Sequence, residues 1–304
     1  MCIGYAGGMA TELVTTVYED AGLRESLFAL WDTVWGFLRA KEAIAGRLGF
    51  PWREVTTPFA LVEDGRVIAH AGLLEIPLVV AGEAVTIGGM HAVCVAAGRR
   101  GEGIGRQVME ACLAAADERG YPAVVLGSEK EALYAKFGFR VRGLENYVTH
   151  GVDGRGGARA LELARAEDAA IWVAAMRSRG ALSDRFAVID RGLLNAFDAV
   201  NRDGTHAPLW LDERLGVVYY ARVEDGRVIV DDVFAAGPFD GEALLAGMAV
   251  AGEEVVFGCD PAGLGLRAQA RAIAYAPKDD RIQMRGRIAG DDEGPIAWPA
   301  YSFM

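Results

Sequence analysis

The sequence predicts an α/β (α+β) protein, a twisted and mostly antiparallel sheet flanked by helices, built twice along the chain. Three observations carry that reading. Apolar runs are separated by Asp64-Gly65, Ala81-Gly82 and Glu224-Asp225-Gly226, which are hairpin signals, so each half holds a strand meander. Residues such as Leu27, Leu30, Trp31, Val34, Trp35 and Leu38 repeat at helical spacing ahead of the first meander. After the stretch G-V-D-G-R-G-G at 151–157 the order of elements starts over.

In chain order, Thr11 to Tyr18 reads as a first strand, and Arg24 to Leu48 as two helices broken near Gly36. Phe59 to Glu63 and Arg66 to Leu74 form a hairpin, and Glu75 to Ile87 extends it. Gly89 to Val95 is a strand that runs into a glycine-rich turn. Ile104 to Arg119 is an amphipathic helix with Ile104, Val108, Ala111, Cys112 and Ala115 on one face. A strand after Tyr121-Pro122, a helix at 129–136 and short strands near 139–149 complete the first unit. The second unit has strand-like Leu161 to Leu163 and helix-like Glu167 to Arg177 and Ile189 to Val200. A meander follows (Pro208 to Leu211, Gly216 to Val223, Arg227 to Phe234), then a helix at Phe239 to Val250 and a strand at Glu254 to Gly258. The expected organisation is therefore a first domain at 1–150, a linker at 151–157 and a repeat of the same plan at 158–304.

Length and composition fit this plan. The chain has 304 residues, room for two domains, and 52% hydrophobic residues. No run of eighteen apolar residues predicts a membrane span, and the N-terminus has no basic-then-apolar signal. Cys2, Cys94, Cys112 and Cys259 are scattered, so neither a metal site nor a disulfide framework is expected, and a reducing cytoplasm fits. The formal net charge of −11 argues against nucleic acid as partner.

The stretch most suggestive of chemistry is V-C-V-A-A-G-R-R-G-E-G-I-G, Val93 to Gly105. A helix start offers unpaired N–H donors and the positive end of the helix dipole, and glycines clear the approach for a phosphate. The spacing is not that of a dinucleotide fingerprint, because Arg106 takes the place of the last glycine, and it is not a P-loop. The backbone of Glu102 to Arg106 would hold a diphosphate. Arg99, Arg100 and Arg106 would add charge.

This stretch resembles motif A of the GNAT N-acetyltransferases, [QR]-x-x-G-x-[GA], filled by Arg100, Gly103 and Gly105. Ala97 stands where the family commonly has proline, and Arg99 where it has an aromatic. The resemblance continues through A-V-V-L-G at 123–127 to A-L-Y-A-K-F-G-F at 132–139. It implies the GNAT fold, acetyl-CoA as cofactor and transfer of an acetyl group to a primary amine of a small molecule or peptide. It also implies that Val93, Cys94 and Val95 pair with pantetheine, that Gly101, Glu102, Gly103, Ile104 and Gly105 form the pyrophosphate turn, and that Tyr134 is the general acid. The second half lacks R-x-x-G-x-G and resembles the non-catalytic repeat of tandem-GNAT proteins, including the enhanced-intracellular-survival acetyltransferases. In those, the terminal carboxylate reaches the site, which would be Met304 here.

His91 lies four residues before Val95, which on a regular strand puts it on the face of Val93 and Val95 with Cys94 opposite. Imidazole, with a reference pKa of ~6.5, suits the collection of an ammonium proton. The arylalkylamine N-acetyltransferases carry a histidine at this offset. His70 is a weaker candidate. Trp31, Asp32 and Trp35, with Phe37, Trp52 and Glu75, are candidates for the acceptor pocket, and aromatics with a carboxylate suit an amine. A different acyl donor, or a non-catalytic acyl-CoA-binding or regulatory role, fits the same motif. A homodimer is compatible with the sequence.

Overall fold

The computed structural model describes residues 11–189, 208–248, 250–274, 280–292 and 294–299. The first half runs β1 (Glu12–Val14), α1 (Ala21–Asp32), α2 (Leu38–Arg47), α3 (Trp52–Val55), β2 (Thr56–Glu63), β3 (Arg66–Val80), β4 (Glu83–Val95), α4 (Ile104–Glu118), β5 (Ala123–Ser128), α5 (Glu131–Tyr134), β6 (Arg140–Val141) and β7 (Glu145–His150). The second half runs β8 (Ala158–Ala160), α6 (Ala166–Ser178), β9 (Phe186–Val188), β10 (Leu209–Asp212), β11 (Val217–Glu224), β12 (Arg227–Phe234), α7 (Gly241–Met248), β13 (Glu254–Phe257), β14 (Gln269–Ala272) and β15 (Arg281–Gly286).

The hairpins form where the sequence signals them. Asp64 and Gly65, Ala81 and Gly82, and Asp225 and Gly226 all have φ between +49° and +79°, the left-handed pair a two-residue turn between twisted strands requires. The first strand is shorter than expected: it stops at Val14, a turn closed by Glu19 N on Thr16 O at 3.0 Å follows, and the Asp20 carboxylate accepts from Leu23 N at 2.9 Å to start α1. The stretch at 151–157 is packed rather than loose, since a Cβ on Gly151 or Gly154 would run into the backbone of Val250 or Ala246. The helix expected at Ile189 to Val200 falls, from residue 190 on, outside the described residues.

The two sheets share one plan. In the first, β1-β2-β3-β4 are antiparallel, β4 and β5 are parallel, and β15 and then β6 follow antiparallel, with β9 added along the end of β3. In the second, β8-β10-β11-β12 are antiparallel, β12 and β13 are parallel, and β7 and then β14 follow antiparallel. The strand beyond each parallel pair comes from the other half. Glu145–His150 lies in the second sheet, and Arg281–Gly286 lies in the first. Neither β14 nor β15 is evident in the sequence pattern, and both short strands are recruited by open sheet edges.

One apolar cluster spans both halves and contains Trp31, Trp52, Trp172, Tyr220 and Phe234, all at most 1% exposed. A second lies between α4 and the first sheet. A third lies under α7. The Arg177 guanidinium over Phe50 adds a polar link between halves, its carbon 5.2 Å from the ring centroid.

Candidate active site

The site is built where the parallel pair opens. β4 and β5 pair only at Gly88↔Val124 and Gly89↔Val125, after which the two strands part. The parting coincides with a bulge. The β3–β4 register slips between His70↔Cys94 and Gly72↔His91, and Ala92 has φ +47°. The backbone of β4 beyond Gly89 thus loses its partner on the β5 side, leaving donors and acceptors free for an extended ligand.

The bulge also corrects the expected side-chain alternation. Met90, Val93 and Val95 pack toward α4, whereas Ala92 and Cys94 belong to the cluster shared by both halves. His91 joins that second side, its ring 4.9 Å from the ring of Trp52. It therefore shares a face with Cys94, not with Val93 and Val95. An added residue inverts every following side chain, and the sequence pattern carries no sign of it.

The glycine turn takes the geometry an anion site needs. Gly101 and Gly103 have φ +88° and +82°, and a Cβ at either would meet open space. Gly103 caps α4 in the left-handed conformation, so Ile104, Gly105 and Arg106 present first-turn N–H groups with no intrahelical acceptor. Gly105 has another role: its missing Cβ lets Val95 lie against the helix, at 3.1 Å from where that atom would be. Ile104 is buried under the sheet. The arginines are less free than the sequence suggests. Arg99 is gripped by Glu63 and by Glu102, the latter at 3.0 Å. Arg100 Nε donates to Val95 O at 3.2 Å, and Arg106 faces Glu110 at 3.5 Å.

The parting strands open into a cleft of about 360 Å³. Its wall includes Trp35, Phe37, His91, Val93, Glu129 and Tyr134. Tyr134 is 7% exposed, with its ring 6.1 Å from that of Phe139. Burial pushes its phenol up, which keeps it protonated at neutral pH. Gly138, φ +86°, ends the turn after α5.

Four pocket candidates fall elsewhere. Trp31 has no exposed surface and packs on Phe28, Trp52 and His70, so it is core. Asp32 lies outside the cleft, paired with Arg39 at 3.0 Å. Trp52 is buried, and Glu75 accepts from Tyr121 Oη at 2.7 Å. Trp35 and Phe37 do line the cleft. Sequence reasoning missed Glu129 and Asp280, the latter brought in just before β15 and accepting from Glu129 N at 3.0 Å. Met304 lies outside the described residues.

The two buried histidines form a pair, ring centroids 6.3 Å apart. His70 Nδ1 lies 2.9 Å from Ala92 O, and His91 Nε2 lies 2.6 Å from Thr56 Oγ1. Loss of hydration drives His70 down to about 4 and His91 down to about 3, with His70 adding to the shift at His91. Both rings are neutral at physiological pH. Cys94 is buried and pushed up to about 12 by desolvation, a poor nucleophile.

The matching place in the second half is closed. β12 and β13 pair through Val230↔Phe257, and the segment after α6 fills the gap beyond. Gly180 N donates to Ala235 O at 2.8 Å, and Gly263 N to Leu182 O at 2.6 Å. Arg179 clamps Asp232 through two bonds of 2.7 and 2.8 Å, both side chains at most 4% exposed. Among the described residues no helix is long and apolar enough to cross a membrane, and no group of three His, Cys, Asp or Glu side chains is arranged for a metal.

The first half thus brings together a sheet that parts at a bulge, a glycine-capped helix start and a buried tyrosine in the gap. Residues 21–142 match the model of the acetyltransferase (GNAT) domain family. Solved structures extend the likeness in fold to both halves. A GCN5-related N-acetyltransferase from Kribbella flavida is 18% identical with a TM-score of 0.56, over 91% of this chain and 71% of that one. A probable N-acyltransferase from Enterococcus faecalis V583 is 13% identical with a TM-score of 0.59, over 91% and 73%. Eis1 from Mycobacterium abscessus is 15% identical with a TM-score of 0.52, over 92% and 73%. No match to a curated protein is found.

Proposed function

We propose that the chain is an acetyl-CoA-dependent N-acetyltransferase that moves the acetyl group directly to a primary amine of a small molecule or peptide. The observation that carries this reading is the junction of the parted β4 and β5 with the Gly101–Gly103 turn at the head of α4. The residues present fit acetyl-CoA. The open space before Gly101 and Gly103 and the first-turn N–H groups suit its diphosphate. The unpaired edge of Val93 to Val95 suits its amides. Acetyl-CoA would supply the activated thioester.

The chain's own groups then have defined work. Backbone N–H groups of β4 orient the carbonyl and stabilise negative charge on it. Tyr134 donates a proton to the leaving sulfur, a role its protonated phenol supports. His91, neutral at working pH, accepts the proton of the incoming ammonium, and its burial makes the charged ring short-lived. Cys94 takes no covalent part. We assign residues 1–150 the catalytic role, 151–157 the joining role and 158–304 a degenerate repeat that binds no cofactor of its own. The placement of the protein in the cytoplasm and its state as monomer or homodimer belong to the same proposal.

The test is thiol release from acetyl-CoA across a panel of primary amines. Amine-dependent release in wild type, lost in Tyr134→Phe with binding of acetyl-CoA intact, supports the reading. Binding without turnover of any amine points to a non-catalytic acyl-CoA-binding protein.

A further inference from the structure

His91 and Thr56 form a partition between two spaces. On one side is the cleft, whose wall includes His91. On the other is a cavity of about 370 Å³ lined by Tyr18, Glu19, Glu54, Thr56 and Thr57. Thr56 is at the start of β2, 7% exposed, with its hydroxyl both 2.6 Å from His91 Nε2 and 3.3 Å from Leu73 O.

One arrangement of the hydrogens satisfies both of these contacts. Leu73 O can only accept, so it takes the hydroxyl proton of Thr56. The hydroxyl oxygen then accepts from His91, which places the ring's hydrogen on Nε2 and a bare lone pair on Nδ1. Nδ1 is buried without a protein partner. Gly72 holds the ring in place from below, because a Cβ there would collide with Nε2 and Cε1.

We infer that Thr56 and His91 together carry the acceptor's proton out of the cleft and into the outer cavity, an inference that rests on the acetyltransferase reading above. One proton passes from the ammonium to His91 Nδ1. The Nε2 proton passes to Thr56 Oγ1, and the hydroxyl's own proton turns away from Leu73 O and passes to water in the outer cavity. One proton enters and one leaves, the ring ends as its other tautomer, and the tautomers re-equilibrate after the product departs. Such a relay never stores charge on the ring. That agrees with a site where the imidazolium is strongly disfavoured, faced by Trp52 of α3, by neutral His70 of β3, and with neutral Cys94 further along β4. Thr56 acts through His91 and is a positioning residue.

The test compares Thr56→Val and Thr56→Ser with wild type. The probes are 2-phenylethylamine and its weakly basic β,β-difluoro analogue. For the strongly basic amine at pH 7, Thr56→Val is expected to lose on the order of 100-fold in kcat/KM. That loss should shrink as pH rises and for the difluoro analogue, because an already neutral amine has no proton to export. Thr56→Ser should restore the rate and the flat pH profile. Independently of any acceptor, ¹⁵N NMR of the histidines should show His91 with hydrogen on Nε2 in wild type and Thr56→Ser, and altered in Thr56→Val. A Thr56→Val enzyme with the wild-type pH profile, or a His91 carrying its hydrogen on Nδ1 in wild type, overturns the relay. Absence of turnover in wild type with these and every other amine of the panel, with an intact Nε2–H tautomer, overturns the acetyltransferase reading instead.

Discussion

Met284 of β15 is the register partner of Val125 on β5, although 159 residues separate them, and Val148 of β7 is likewise the partner of Val256 on β13. Each half therefore completes the other's sheet. Six consecutive residue pairs, from Arg281↔Ser128 to Gly286↔Ala123, cover the edge of β5 opposite the one that faces β4 and the cleft. A chain cut after residue 150 would leave that edge bare and would carry β7 without its sheet. Such a fragment is expected to aggregate or to remain a partly ordered monomer. Co-expression with residues 151–304 should recover a soluble complex. Size-exclusion chromatography and circular dichroism of the fragment, alone and with its complement, check this.

Replacement of Tyr134 by phenylalanine keeps the ring beside Phe139 and removes the acidic hydrogen. The expected result is a fall in kcat of roughly 10- to 100-fold, at the low end of what general acid catalysis provides, with the dissociation constant for acetyl-CoA unchanged. Because burial raises the pKa of the phenol, the alkaline limb of the wild-type rate profile should lie above the ordinary tyrosine range and vanish in Tyr134→Phe. Stopped-time thiol assays from pH 6 upward provide the check.

His70 and His91 make the fold acid-sensitive. Their folded values, about 4 and about 3, lie below the unfolded reference of ~6.5, so the unfolded chain binds more protons in between. Their contribution to stability is fully present above pH ~6.5 and is lost as the pH falls toward 4 and then 3. Each ring adds a slope of ~1.4 kcal/mol per pH unit in that window. Urea unfolding at intervals from pH 7.5 to 4.5 should show the loss, and His70→Gln should roughly halve its slope, leaving the part due to His91.

Arg179 and Asp232 are buried together in the second half, with the guanidinium carbon 4.8 Å from the centroid of the Phe234 ring. Removal of one partner leaves an unmatched charge in the interior. Asp232→Ala is expected to cost about 3–5 kcal/mol, and Arg179→Met a similar amount. The double variant Arg179→Met with Asp232→Leu should recover most of the loss. The same segment closes the gap between β12 and β13, so neither variant should change the stoichiometry of acetyl-CoA binding, one per chain. Calorimetric unfolding and titration separate the two effects.

Local signals in the sequence are faithful where physics is local. The Asp64-Gly65, Ala81-Gly82 and Asp225-Gly226 turns, the α1 and α2 break near Gly36, and the amphipathic face of α4 all lie where spacing and turn chemistry put them. What the pattern hides is non-local. The exchange of β7 and β15 depends on which sheet edge is open, a property no window of residues contains. The bulge at Ala92 reverses His91 relative to Val93, and the bulged position itself carries neither glycine nor proline. Trp31 and Trp35 have the same helical spacing, yet one is core and the other lines the cleft, because the sheet beneath α1 decides which is covered. Asp280 reaches the cleft only because β15 is threaded beside β5.

The central claim is that the Gly101–Gly103 turn and the parted strands hold acetyl-CoA, and thermal unfolding with and without it tests this most directly. At a hundredfold excess over its dissociation constant, acetyl-CoA should stabilise the chain by ~2.7 kcal/mol, a rise of several degrees in Tm. Val93→Pro, which removes an edge N–H, and Gly103→Glu, which sets a carboxylate in the turn, should each abolish the rise. No shift in wild type with either acetyl-CoA or free coenzyme A would contradict the account.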